Sequence, residues 1–274
     1  MNEKSAATRP MSAVVWAQLL LLGAIWGGSF FFARIAVEEI APFTLVLLRV
    51  AIAAAALHVY LLARGISFAP TFLAWRGLLL LGAVNNVVPF SLMFLGQTEI
   101  GAGLASVLNA TTPFWTIIVA SFLVADEKIT SGKLAGIALG IAGTAVMIGP
   151  GLLAGLGGPV WAKLALIGTA LSYAFAFVVA KRITGLSPTL IATGQLTASS
   201  VIMVPIVVVL DDTSQMLTAS AQTWSAVLGL ALLSTAFAYI LYFRILASAG
   251  ATNAALVTLI VPVSALLLGI LFLG

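Results

Sequence analysis

Long apolar stretches separated by short polar connections run through this chain. Nine are about one bilayer long: 12–37, 42–63, 72–96, 103–125, 130–149, 159–183, 188–210, 222–247 and 252–273. A transmembrane helix needs roughly 20 apolar residues, so each is read as a span, numbered 1 to 9. Pro42, Pro70, Gly101, Gly132, Pro159, Pro188 and Gly250 punctuate the connections. Polar and aromatic residues within the spans recur at three- and four-residue steps, which places them on one helix face. Span 1 carries Gln18, Trp26 and Ser29; span 3 carries Asn85, with Asn86 beside it; span 4 carries Ser106, Asn109 and Thr116. The corresponding stripes are Thr169 and Tyr173 in span 6, Thr235, Tyr239 and Tyr242 in span 8, and Thr258 in span 9. Each stripe is the least lipid-like face of its helix and is expected to face protein or water.

Prolines interrupt the same stripes. A proline cannot donate a backbone hydrogen bond, and its ring crowds the carbonyl four residues earlier. Pro89 frees the carbonyl of Asn85, Pro113 that of Asn109, and Pro262 that of Thr258. Pro113 and Pro262 stand 149 residues apart in similar surroundings. The stretch from Leu21 resembles that from Leu166, and the stretch from Leu80 resembles that from Val227. The chain therefore reads as two repeats, 1–150 with spans 1–5 and 151–274 with spans 6–9. The second repeat stops before the counterpart of span 5, so a tenth helix is expected to be missing. An odd number of spans per unit predicts halves of inverted topology. In span 5, Gly132, Gly136, Gly140 and Gly143 form a small-residue face expected to pack against the bundle.

Composition sharpens the class. The chain is 62% hydrophobic and 7% charged, with a mean hydropathy of +1.20. An ordinary soluble domain is about 25% charged. The net charge of +4 reflects membrane topology rather than nucleic-acid binding. Nine basic residues (Lys4, Arg9, Arg64, Arg76, Lys128, Lys133, Lys181, Arg182, Arg244) fall on one side; only Arg34 and Lys163 fall on the other. The first side is cytoplasmic by the positive-inside rule, which puts the N-terminus inside. There is no cysteine and a single histidine, His58, and no HExxH or GxSxG pattern occurs. No metal site, cofactor or catalytic residue is therefore expected, which argues against an intramembrane enzyme. No filter-like run argues for a channel.

The WGGSF of Trp26–Phe30, the NATTPFW of Asn109–Trp115 and the acidic Asp126-Glu127 before span 5 resemble the drug/metabolite transporter superfamily, and within it the EamA-type metabolite and amino-acid exporters, the aromatic amino-acid exporters included. The resemblance runs the whole length of the chain, although Leu171 stands where the first half has Trp26. It implies an all-α polytopic membrane protein with an inverted five-plus-five repeat, of which nine helices are present. The repeated spans would surround a central cavity. It also implies export of amino acids and related metabolites across a bacterial inner membrane. The partners expected are a small-molecule substrate and lipid, with the protein a monomer or weak homodimer.

The residues assigned to substrate binding are Trp26, Ser29, Asn85, Asn86, Asn109, Tyr173, Tyr239 and Thr258. Amides would meet the ammonium and carboxylate of a zwitterion, and aromatics would form walls. The alternative is packing, because polar side chains also hydrogen-bond between membrane helices, and hydroxyls bond their own helix. Arg49, inside span 2, is read as an ion pair or gate with Glu99, or as a group that meets a substrate carboxylate. The matched position in the second half is Gln195. Pro89, Pro113 and Pro262 are candidate hinges. All eight carboxylates lie at span ends or in loops, which favours a facilitator or exchanger of neutral amino acids. The alternative is a proton-coupled exporter of drugs, nucleobases or other small metabolites.

Overall fold

The computed structural model describes residues 12–123, 158–254 and 257–272, with short helical pieces between 131 and 143. It is all-helical among the described residues, as a backbone in hydrocarbon must be when its polar groups are to be satisfied within each segment. Among the described residues, seven helices are long and apolar enough to cross a membrane: Ala13–Ala36, Pro42–Ala63, Phe72–Gln97, Ala102–Leu123, Val160–Arg182, Pro188–Leu210 and Ala221–Ile245. They correspond to spans 1–4 and 6–8. Span 9 is a shorter helix, Val257–Phe272. Most of span 5, with Gly140, lies outside the described residues, as do Asp126 and Glu127. Gly132, Gly136 and Gly143 are helical there, and among the described residues a Cβ on any of them would meet nothing within 4 Å.

Local chemistry sets most helix starts. The hydroxyls of Ser12, Thr71, Ser187 and Ser220 each accept a backbone N–H from the first turn of the helix they precede. Pro42 and Pro188 occupy the first turn, where no donor is needed. Gly250 does not end span 8 as expected. The helix continues to Ala254, because an alanine-rich segment tolerates one glycine in helical conformation.

Three spans depart from a regular α-helix. Span 4 breaks into Ala102–Asn109 and Thr112–Leu123, directly before Pro113. The Asn109 carbonyl freed there accepts the hydroxyl of Thr112 at 2.6 Å. Spans 3 and 8 widen to i→i+5 bonding over Ala83–Val87 and Gly229–Phe237. This widening corrects the expectation for Pro89. With Val88 N–H bonded to Ala83, the carbonyl facing proline's missing donor is Val84's, not Asn85's. Ser172 of span 6 donates to it at 2.7 Å. Pro262 lies inside a continuous helix, and so does Pro205 in span 7.

Polar residues inside the spans turn inward among a mainly apolar interior, while large apolar side chains cover the outer surface. Arg49, Asn86, Gln97, Gln195, Ser199 and Thr235 are buried, while Phe72, Phe122, Val208 and Leu271 are exposed. The helix pairs form a regular pattern. Span 1 packs on span 9 as span 6 packs on span 4. Span 3 packs on span 6 as span 8 packs on span 1, and span 2 on span 8 as span 7 on span 3. Spans 2 and 7, and spans 4 and 9, pack on each other. Exchanging the two halves leaves this list unchanged.

Candidate functional site

The inward faces of spans 3, 7 and 8 join in one hydrogen-bonded network. Asn85, in the widened part of span 3, donates to Gln195 Oε1 at 2.9 Å and to the Tyr239 hydroxyl at 3.4 Å. Tyr239 donates to Asn86 Oδ1 at 3.2 Å, and Asn86 donates to Ser199 at 3.0 Å. Ser199 reaches the carbonyls of Gln195 and Gly82. Gly82 permits this approach: a Cβ there would lie 2.8 Å from the Gln195 carbonyl oxygen. Asn86 is fully buried, with its amide held between Tyr239 and Ser199. Asn85 and Tyr239 are half-buried, and the Asn85 side-chain oxygen accepts no hydrogen bond among the described residues.

A matching arrangement lies on the other side. Arg49 of span 2 donates through Nε to the Thr235 hydroxyl at 3.0 Å. Thr235 donates in turn to the Leu230 carbonyl five residues earlier, a bond that exists because span 8 is widened there. Arg49 and Gln195 occupy matched positions in the two halves, and each engages the widened segment of the other half's helix. The guanidinium carbon lies 3.8 Å from the centroid of Phe90 and 5.7 Å from that of Phe94. The ion pair expected between Arg49 and Glu99 is not formed. Arg49 is only 5% exposed and turns into the bundle, whereas Glu99 is exposed at the C-terminal end of span 3. Among the described residues the ion pair is Arg34 with Glu38, at 3.5 Å.

The other assigned residues distribute around this centre. Tyr173 is half-buried against the same apolar core. Trp26 packs its ring 5.6 Å from that of Tyr242, joining spans 1 and 8. The Ser29 hydroxyl is taken up by its own helix, on the Trp26 carbonyl at 2.6 Å. Asn109 ends the first half of span 4, and its Oδ1 is buried without a partner. The Thr258 side chain lies outside the described residues. His58 bonds Thr197 at 3.0 Å, away from the network. Gln195, Ser199 and Ser172 belong to the centre but were not assigned from sequence. The match of Gln195 to Arg49 was the signal that would have found the first.

Two carboxylates tie the halves together at one end. Glu39, after span 1, accepts the N–H and hydroxyl of Ser220 at 2.6 and 2.8 Å. Asp211, after span 7, accepts the N–H and hydroxyl of Thr44 at 2.6 and 2.9 Å. The Ser220 bonds hold the Glu39 carboxyl below its ordinary range. At the opposite end, Ile183 after span 6 approaches Gly77 of span 3.

This architecture has known counterparts. A solved crystal structure superposes on 96% of this chain and 90% of its own with a TM-score of 0.70, at 19% identity, and so shares the fold. The chain is 33% identical over 175 residues to the "Uncharacterized inner membrane transporter YedA" of Escherichia coli K12. That match takes in 62% of this chain and 54% of YedA, so the chain spans about half the length of that relative. It is 24% identical to an "Uncharacterized transporter" of Archaeoglobus fulgidus, over 89% of this chain and 84% of that protein. A family profile described as "EamA-like transporter family" matches twice, at residues 11–149 and 160–274. A multi-pass helical bundle that the profile matches over nearly all its length belongs to the EamA-like transporter family.

Proposed function

We propose that this protein is an inner-membrane transporter that exports neutral amino acids, hydrophobic and aromatic ones included, and related metabolites by alternating access. It acts as a facilitator or exchanger, with its N-terminus in the cytoplasm, as a monomer or weak homodimer. Residues 1–150 and 151–274 are inverted repeats, and the site lies where they meet. Family membership supports a transporter rather than an enzyme. The observation that carries the reading is the network in which Asn85, Gln195, Tyr239 and Asn86 cross between the halves at two widened helices. Irregular backbone inside a membrane belongs where it lines a site or is covered by protein.

Substrate contact falls to the groups that retain accessible or unpartnered atoms. These are Asn85, Tyr239 and Tyr173, with Trp26 as an aromatic wall and Asn109 and Arg49 as polar points. Asn86 positions Tyr239, and Ser29 remains in the set on the inward face of span 1. Pro89, Pro113 and Pro262 are the hinges. Thr258 is kept in the substrate-binding set because it stands opposite Asn109 in the repeat. Glu38, Glu39, Glu99, Asp211 and Asp212 all lie at helix ends, which favours transport without proton coupling.

The test is uptake of radiolabelled neutral amino acids into proteoliposomes, with and without a pH gradient. Saturable flux that is indifferent to the gradient and lost in Asn85→Ala and Tyr239→Ala is the expected result. Flux driven strongly by the gradient overturns the facilitator reading. Absence of amino-acid flux, with nucleobases or cationic drugs carried instead, overturns the substrate class.

A further inference from the structure

We propose that Arg49 is the anion-recognition point of the substrate site, and that the transported molecule carries a carboxylate that meets its unpartnered Nη1. The inference rests on the transporter reading and names the chemical class its site takes.

Arg49 is 5% exposed, in an apolar bundle. A guanidinium keeps its charge there, and a buried charge is stable only when an opposite charge or sufficient hydrogen bonds meet it. Among the described residues no carboxylate lies within 4.0 Å of it. Its one hydrogen bond is from Nε to Thr235, and Nη1 is buried without a partner. Phe90 and Phe94 attract the flat face of the cation without neutralising it.

The geometry is that of a prepared donor. The Thr235 hydroxyl donates to Leu230, so its lone pair faces Nε and fixes the guanidinium in its plane. Phe90 covers one face at 3.8 Å. The donor left over is Nη1, buried and without an acceptor among the described residues, which a carboxylate reaches only when the helices around it part.

The repeat separates this role from a structural one. At the matched position Gln195 does the equivalent work, bonding Asn85 of the opposite half with a neutral amide. A neutral side chain therefore suffices to link span 2 to span 8, and the charge at position 49 is surplus to the helix contact.

The test uses the full chain in proteoliposomes, with L-phenylalanine as labelled substrate. Competitors are 3-phenylpropionate, which keeps the carboxylate alone, and phenethylamine and L-phenylalaninamide, which lack it. The expected result is that 3-phenylpropionate competes and the other two compete about tenfold more weakly or less. Arg49→Gln is expected to raise the KM for L-phenylalanine about tenfold or more, with Arg49→Lys recovering part of it. If Arg49→Gln does not fold, the wild-type competitor series still decides. Equal competition by acid, amine and amide overturns the proposal, as does unchanged uptake in Arg49→Gln, or inhibition that follows chloride rather than the organic acid. Transport of adenine or ethidium by wild type and Arg49→Gln alike, without L-phenylalanine transport, overturns the anion site and leaves the transporter standing. If none of these probes moves, the transporter reading falls, and the anion site with it.

Discussion

Gly27 shows how finely single residues set the fold. A Cβ at that position would come within 2.8 Å of the Ala265 amide nitrogen in span 9, backbone that cannot step aside. At Gly28, one residue on, the nearest atom would be Leu268 Cδ1 at 3.6 Å, an ordinary contact. Gly27→Val is expected to abolish a monodisperse peak in size-exclusion chromatography, and Gly28→Ala to leave it unchanged. In the polar network, Tyr239→Phe removes the hydroxyl between Asn85 and Asn86. Interhelical bonds of this kind are worth roughly 0.6–2 kcal/mol, so a modest drop in melting temperature is expected, with a larger loss of substrate flux. Asn85, Asn86 and Tyr239 were legible in the sequence because amides and a phenol inside a membrane span need partners. Ser172 and Ser199 were not. A serine in a helix can always bond its own backbone, and only the neighbouring span shows that these two also reach Val84 and Gly82.

Among the helices, breaks and clasps matter more than the regular turns. Thr112 covers the Asn109 carbonyl that Pro113 frees, so the break is satisfied as well as imposed. If it is a hinge, Pro113→Ala will restore a continuous helix and slow transport. Unchanged flux removes that role. Ser172→Ala leaves the Val84 carbonyl without its donor from span 6, and a loss of about 1–3 kcal/mol is expected in denaturant unfolding. The clasp between Glu39 and Ser220 is pH-dependent. The Ser220 N–H and hydroxyl hold the carboxyl below its ordinary value of 4.5. A depressed folded value means the clasp's contribution is fully present above the ordinary value and is lost as pH falls through the folded one. Melting measured from neutral pH into that acid range is expected to fall less steeply in Glu39→Gln than in wild type. The break at Pro113 was readable from the sequence, but the unbroken helix at Pro262 and the widened turns were not. Whether a proline kinks, breaks or widens a helix depends on which neighbour can reach the orphaned carbonyl.

For the molecule as a whole, the helix pairs keep their list when the two halves are exchanged, and the inversion proposed for the halves can be tested from the loops. Glu39 and Asp211 join the connections after spans 1 and 7 at one end, and Gly77 meets Ile183 at the other. Ser67 and Thr213 lie in matched connections of the two halves and are both exposed. The chain has no cysteine, so single substitutions report cleanly. With inverted halves and the N-terminus inside, Thr213→Cys is expected to react with a membrane-impermeant maleimide in intact cells, and Ser67→Cys only after the membrane is opened. Reaction of both from the same side refutes the inversion.

Hydropathy, proline spacing and internal similarity were enough to specify a polytopic helical bundle of repeated spans, because in hydrocarbon each span must satisfy its own backbone and carries its signal locally. Which polar stripes meet was decided only by the tertiary structure. Sequence spacing places Arg49 on a helix face, but its partner is chosen by the helix that packs there. Glu99 was the chemically obvious counter-charge and lies at the helix end, while Thr235, 186 positions away, takes the guanidinium because span 8 is widened at its level.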